Sequence, residues 1–287
     1  MSRRNISHLP PPAERYRVDI LSHSFETDLA AAREDSLRAK KLRKRADQCK
    51  KGKRRASLLV LADLLDPAVT PDTPETLASA RYLREQRIKI IGALWKAVDT
   101  DMTGQVVRFD VIKPSWACDL DGLRKESSRR LKAEFRADLL RAASRLKVHP
   151  SDLEGFLFAA LHGDFEVTEG VFQPHFHAVA TGDWVEVVDA LRGSRSYQPT
   201  ERVTRPFRAK RELTDPAYAL TYVLKSYWPK KWQGMVSGVG KKRRSRNHGR
   251  IPDPHHSEIL LWMHNQNLSE IILMMKLEVR KYGLFNM

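Results

Sequence analysis

Two histidines separated by one bulky apolar residue, His175-Phe176-His177, sit inside the run QPHFHAVATG. In an extended backbone residues i and i+2 point to the same face, so both imidazoles project together while Phe176 turns the other way, toward a core. Two imidazoles side by side on one strand make half of a metal site. Some forty residues later, AYALTYVLKSYW carries Tyr218, Tyr222 and Lys225 at spacings of four and three. On a helix those spacings place two phenols and an ammonium on one face, a turn apart. A phenol is a weak nucleophile at its ordinary pKa of about 10, and nearby positive charge is what activates it.

The surrounding sequence indicates which elements must hold these groups. Residues to about Ser24 are polar, with three consecutive prolines, and read as an arm or linker. Helices are expected over Phe25–Lys51, Ala56–Leu65 and Pro74–Asp99, which makes 1–103 a basic, mainly helical N-terminal region. At Gly104 the periodicity changes. Strands are expected over Gln105–Ile112, Gly155–Thr168 and Val171–Thr181, with the last two forming a hairpin, and an edge strand over Val203–Ala209. Helices are expected over Asp121–Leu146 and Asp183–Leu191, and from Pro216 to Trp228, where Pro229 stops the last. The order suggests an antiparallel sheet covered by helices, an α+β layout, over 104–232. Residues 233–287 read as a basic linker, including Lys241 to Arg246 (KKRRSR), and a C-terminal helical segment over Ser257–Lys281 that breaks near Asn265-Gln266-Asn267.

Charge narrows the partner. Fifty-one Lys and Arg against 35 Asp and Glu leave a net charge of +16, which favours a polyanion, nucleic acid foremost. No run is apolar enough to cross a bilayer and no secretory leader is legible, so a cytoplasmic, membrane-free setting is expected. Cys49 and Cys118 have neither metal-ligand spacing nor a disulfide framework. No phosphate loop of the G-x-x-x-x-G-K-[ST] type is present, so any helicase must come from another protein, a host helicase.

Taken together, the apolar-flanked His pair and the later YxxxYxxK segment in a basic chain resemble the HUH endonuclease superfamily. Within it they are most similar to rolling-circle replication initiators with two tyrosines. The resemblance covers about Gln105 to Trp232; the family's first strand motif is met only loosely, as Phe109-Asp110-Val111-Ile112. It implies a ferredoxin-like antiparallel sheet with covering helices, the HUH nuclease fold. It also implies a divalent metal, Mn²⁺ or Mg²⁺, on His175 and His177. The third ligand is not set by the motifs; Glu166 is the choice, with His162 and Asp164 as rivals. Tyr222 or Tyr218 would attack single-stranded DNA or an origin hairpin, aided by Lys225, and leave a 5′-phosphotyrosine and a free 3′-hydroxyl. The aromatic residues Tyr227, Trp228 and Trp232 are candidate base-stacking platforms. A two-tyrosine transposase shares this motif order, and a non-catalytic basic nucleic-acid-binding protein is the remaining reading.

Overall fold

A computed structural model of the chain describes residues 25–210, 216–231, 233–235, 242–244, 249–280 and 283–286. The polar arm before residue 25, Trp232 and part of the KKRRSR run lie outside the described residues.

Three helices open the described chain: α1 (Asp28–Asp47), α2 (Lys53–Leu65) and α3 (Ala80–Asp99). Thr27 caps α1 by accepting from the Ala30 amide, and the buried side chains at 31, 35, 38, 39, 42 and 46 trace one stripe along it. Asp35 in that stripe is fully buried and accepts from Ser79 Oγ at 2.7 Å and the Ala80 amide at 2.6 Å. It therefore welds α1 to the first turn of α3. Helix α3 begins at Ala80 rather than Pro74, because Ser79 supplies the cap. The helix expected over Asp121–Leu146 is two, α4 (Leu120–Lys125) and α5 (Ser128–Arg145). Ser127 caps the second and ends any continuity with the first.

The sheet is built from β1 (Val106–Val111), β2 (Leu157–Glu166), β3 (Val171–Thr181) and β4 (Phe207–Lys210), in the order β4-β1-β3-β2, each pair antiparallel. Helices α4 and α5 connect β1 to β2, and α6 (Trp184–Asp189) lies between β3 and β4. β2 and β3 are a hairpin, and Gly170 at φ 67° supplies the left-handed residue of its turn. On one face of β3, Phe176 stacks on Phe135 of α5 at 4.4 Å and meets Trp116 edge-on at 5.6 Å. That face is the core, as the strand alternation requires.

Two further expectations are corrected. Helix α7 is short, Pro216–Thr221, and residues 222–229 run on as turns rather than as helix to Trp228. The C-terminal segment is not all helix. α8 (His255–His264) and α9 (Leu268–Ile271) do break at Asn265–Asn267, but Ile272–Met275 then adds to the sheet as a strand against Leu157–Ala160 of β2. Consecutive β-branched and unbranched apolar residues over 271–275 satisfy a buried strand as well as a helix, and the free edge of β2 decides between them. Further along β2, Phe165 and Glu166 take β5 (Lys230–Lys231) in parallel. Short antiparallel pairs join β6 (Gln233–Met235) to β7 (Lys242–Arg244), and β9 (Leu277–Arg280) to β10 (Gly283–Asn286), with Ile272–Met275 counted as β8.

The N-terminal helices are not walled off from the sheet. One apolar cluster runs from Leu42 and Leu58 through Ile91, Phe109 and Phe158 to Leu260. Arg87 of α3 donates from Nε to the Leu224 carbonyl at 2.6 Å, tying that helical layer to the turns after α7.

Candidate metal centre and tyrosine

Three neighbouring strands build the site. In the β2–β3 register His162 lies opposite His175, and in the β1–β3 register Asp110 lies opposite His177. Directly paired residues share a face, so Asp110, His162, His175 and His177 all project from the side away from Phe176. The three imidazoles are buried, at 2–3% exposure. His162 Nδ1 is 3.3 Å from His175 Nε2, which is 3.3 Å from His177 Nε2.

Each ring is held from behind by an acceptor. His162 Nε2 contacts the Tyr227 carbonyl at 2.8 Å, His175 Nδ1 the Gln173 carbonyl at 3.0 Å, and His177 Nδ1 Asp110 Oδ1 at 2.7 Å. A carbonyl or carboxylate oxygen only accepts, so the outer nitrogens carry the protons and the three inner ones present lone pairs to one another. Burial lowers the pKa of all three rings, that of His175 to about 3, so a proton does not fill the gap. Three converging lone pairs repel unless a cation lies among them. Nitrogens on one ion at bonds of about 2.1 Å in tetrahedral array lie about 3.4 Å apart, close to the spacing found. The cluster is thus fitted to hold a metal ion, and the carboxylate and carbonyls behind it are the partners that orient such ligands.

Asp110 is itself shifted. Burial would raise its carboxyl, but the His177 hydrogen bond and the nearby cations outweigh that and hold it well below the usual carboxylate range. Asp164, two residues past His162 on the same face, is likewise lowered against burial by His175 and by an ion pair with Lys231. It lies 3.8 Å from His175 Nδ1, behind the ring and not among the converging nitrogens.

Tyr222 follows α7 directly, and its ring packs edge-on against His177 with centroids 4.8 Å apart. Two cations flank that ring: Lys225 Nζ at 3.6 Å and the Arg108 guanidinium at 4.3 Å from its centroid. Burial, with Asp110 adding, pushes the Tyr222 phenol up to about 12, while Arg108 opposes the shift. Burial brings Lys225 down to about 8. Arg108 is buried at Nε, which has no hydrogen-bond partner among the described residues. Its Nη2 lies 3.8 Å from Asp110 Oδ2, so the guanidinium joins the Tyr222 ring to the carboxylate behind His177.

The structure therefore brings together His175, His177, Tyr222 and Lys225. Tyr218 lies on α7, and its side chain is outside the described residues. Glu166 is not in the cluster. It shares the face of His162 but pairs with Val171 beside the turn, four residues along β2, or about 13 Å at about 3.3 Å per residue. His162 takes the third position instead. The signal for it was present: a hairpin turning at 167–170 pairs residues symmetrically about the turn, which sets His162 against His175 and carries Glu166 away. Asp110 and Arg108 were missed as site residues; their only trace is that the two polar residues of VVRFDVI stand two apart, alternating with Val107, Phe109 and Val111.

Among the described residues no helix is long and apolar enough to cross a membrane. No protein-family model matches this chain, and neither curated proteins nor solved structures provide a match.

Proposed function

We propose that this chain is a metal-dependent endonuclease and strand transferase that cuts single-stranded DNA through a covalent tyrosine intermediate, in the manner of the two-tyrosine HUH initiators it resembles. The observation that carries the reading is Tyr222 packed against His177 of a three-histidine cluster, with Arg108 and Lys225 on its ring. The strand order β4-β1-β3-β2 with helical crossovers is that of a ferredoxin-like split βαβ, which supports the same reading. So does the net charge of +16, suited to DNA or an origin hairpin.

In this reading the Tyr222 oxygen attacks the scissile phosphorus. One tyrosyl O–P bond forms and the bond from phosphorus to the 3′-oxygen breaks. The phenol gives up its proton and the departing 3′-oxygen gains one. Lys225, down at about 8, is placed to stabilise the phenolate and to exchange that proton. Arg108, whose guanidinium lies over the Tyr222 ring, would help to stabilise negative charge on the attacked phosphate. A divalent ion, when bound, supplies Lewis-acid stabilisation of charge on the phosphate. With His162 in the place expected for Glu166 the donor set is all imidazole, which fits a hard ion such as Mg²⁺ poorly; Mn²⁺ is the softer of the two expected ions, and imidazole donors suit Zn²⁺ or Fe²⁺ as well. Rejoining reverses the same bonds, so no nucleotide hydrolysis is needed and unwinding falls to a separate host helicase. Replication and transposition share this chemistry.

Two observations favour a second reading, a DNA-binding protein with a purely structural ion: the three rings are nearly inaccessible and the Tyr222 phenol is raised. The two are separated by incubating the protein and Mn²⁺ with 3′-labelled single-stranded oligonucleotides of randomised sequence, followed by denaturing electrophoresis. A labelled protein band is expected, lost in Tyr222→Phe or in the Tyr218→Phe/Tyr222→Phe pair. A band that survives the pair removes both tyrosines as nucleophiles; no band from ion-loaded protein leaves the structural ion.

A further inference from the structure

More than half of the chain's net charge sits at one end of the hairpin formed by α1 and α2. Residues 40–55 hold ten Lys and Arg against a single acid, Asp47, in a chain of net charge +16. The acids that meet this end are engaged: Asp63 and Asp66 on Arg43, Asp47 on Arg55, and Glu258 on Arg54. Lys40, Lys41, Lys44, Lys50, Lys51 and Lys53 make no ion pair among the described residues, and all but Lys41 are exposed. Lys40 and Lys44 stand one turn apart on α1, about 6 Å along its axis. Lys53 opens α2, whose first turn holds no acid against the positive end of the helix. Like charges so placed repel one another, so the fold keeps here a positive surface that its own residues do not neutralise.

Composition and packing sort the anionic partners such a surface could take. Between residues 28 and 65 there is no Phe, Tyr, Trp or His, whereas a grip on unpaired bases rests on aromatic stacking. A bilayer surface takes an amphipathic helix by its apolar face. Here that face is spent on the core, where Leu42, Leu58, Leu61 and Leu65 are fully buried. Leu29, Leu37 and Val60 remain exposed, but each lies two turns or more from the connection at 48–52. Charge without a stacking platform or an apolar face suits a backbone whose bases are paired and turned inward, which is a duplex. The surface is also fixed relative to the metal centre. Arg38, on the same helix, donates to the Ser226 carbonyl at 3.4 Å, and the next carbonyl, that of Tyr227, holds His162. Lys44 lies about 9 Å further along α1.

We propose that this end of the α1–α2 hairpin is a docking surface for the phosphate backbone of duplex DNA. The choice of DNA rests on the reading of the chain as a DNA-processing enzyme: a paired stem beside the cut strand is held by the hairpin while the unpaired strand lies at Tyr222. Backbone contacts carry no base code, so the surface places the substrate without selecting its sequence.

The test reads binding without metal, so it can fail independently of the cleavage proposed above. Metal-free full-length protein is titrated over a range of salt with a labelled short duplex, with a single strand of the same length, and with phosphatidylcholine vesicles containing phosphatidylserine. Lys44→Gln/Lys51→Gln/Lys53→Gln removes three exposed charges and keeps good helix formers. Lys125→Gln/Arg136→Gln/Arg195→Gln removes the same charge from exposed positions elsewhere. Each phosphate contact contributes about 0.9 to the slope of log affinity against log salt. The hairpin triple is therefore expected to flatten the duplex slope by about 2–3 and to weaken duplex binding by about 10–100-fold near physiological salt. Its single-strand affinity should fall no further than that of the control triple, and its melting temperature should hold, since no ion pair is lost. Equal duplex binding by wild type and the hairpin triple overturns the proposal, as does an equal loss in both triples, which would leave net charge alone as the cause. An equal loss for the single strand, or a loss confined to vesicles, overturns it as well. Duplex docking through the hairpin in a protein that forms no covalent adduct with Mn²⁺ leaves this surface standing and removes the cleavage.

Discussion

At the scale of single residues, the arrangement turns on which atoms face inward. Three imidazoles present lone pairs because an acceptor stands behind each. The Asp110 carboxylate is the strongest of the three, being charged and 2.7 Å from His177 Nδ1. Asp110→Asn keeps the shape, removes the charge and can present an amide N–H where an acceptor is needed. Metal affinity is expected to fall by about 10–100-fold. Glu166→Gln, outside the cluster, is expected to leave it unchanged, and His162→Ala to abolish tight binding. Metal content after dialysis at a fixed free Mn²⁺ concentration separates the three. Retention by His162→Ala together with loss in Glu166→Gln would restore the glutamate as third ligand.

At the scale of elements, what the sequence made legible followed from periodicity. β3 runs over Val171–Thr181 as expected, because strict alternation leaves His175 and His177 one face and Phe176 the other. The failures lie where tertiary partners choose between near-equal local states. Ile272–Met275 is a strand because β2 has an unpaired edge there. Residues 222–228 leave the helix although nothing but Pro229 forbids it. Arg87 and Arg38 bind the Leu224 and Ser226 carbonyls from other helices, in place of the i+4 amides a helix would offer. His162 was named and passed over because register depends on the turn, not on the strand's composition. Gly163 shows the same dependence: a Cβ there would sit 2.1 Å from the Trp228 ring. Gly163→Ala is therefore expected to destabilise by about 1–3 kcal/mol, the cost of an overpacked core. It should also disturb His162 next to it. The check is a urea midpoint paired with metal affinity, and an unchanged midpoint would mean that Trp228 yields freely.

At the scale of the whole molecule, buried neutral histidines make stability depend on acid. His256 has its folded pKa, about 3, well below the value of about 6.5 in an unfolded chain. The neutral ring is the one the fold accepts, so protonation favours unfolding. That contribution is fully present above pH 6.5 and is lost progressively as pH falls toward the folded value. Urea midpoints are expected to drop between pH 7 and 5, and to drop less in His256→Phe, which has nothing there to protonate. Parallel profiles for the two proteins would place a charged His256 in the native state. The burial of the three metal-facing rings has a different outcome, in time rather than energy. At 2–3% exposure they meet solvent rarely, so an ion among them would come and go slowly. An ion held there would leave more slowly than its affinity alone implies, so how long a preparation keeps its metal would report the burial of the rings as much as the strength of their bonds.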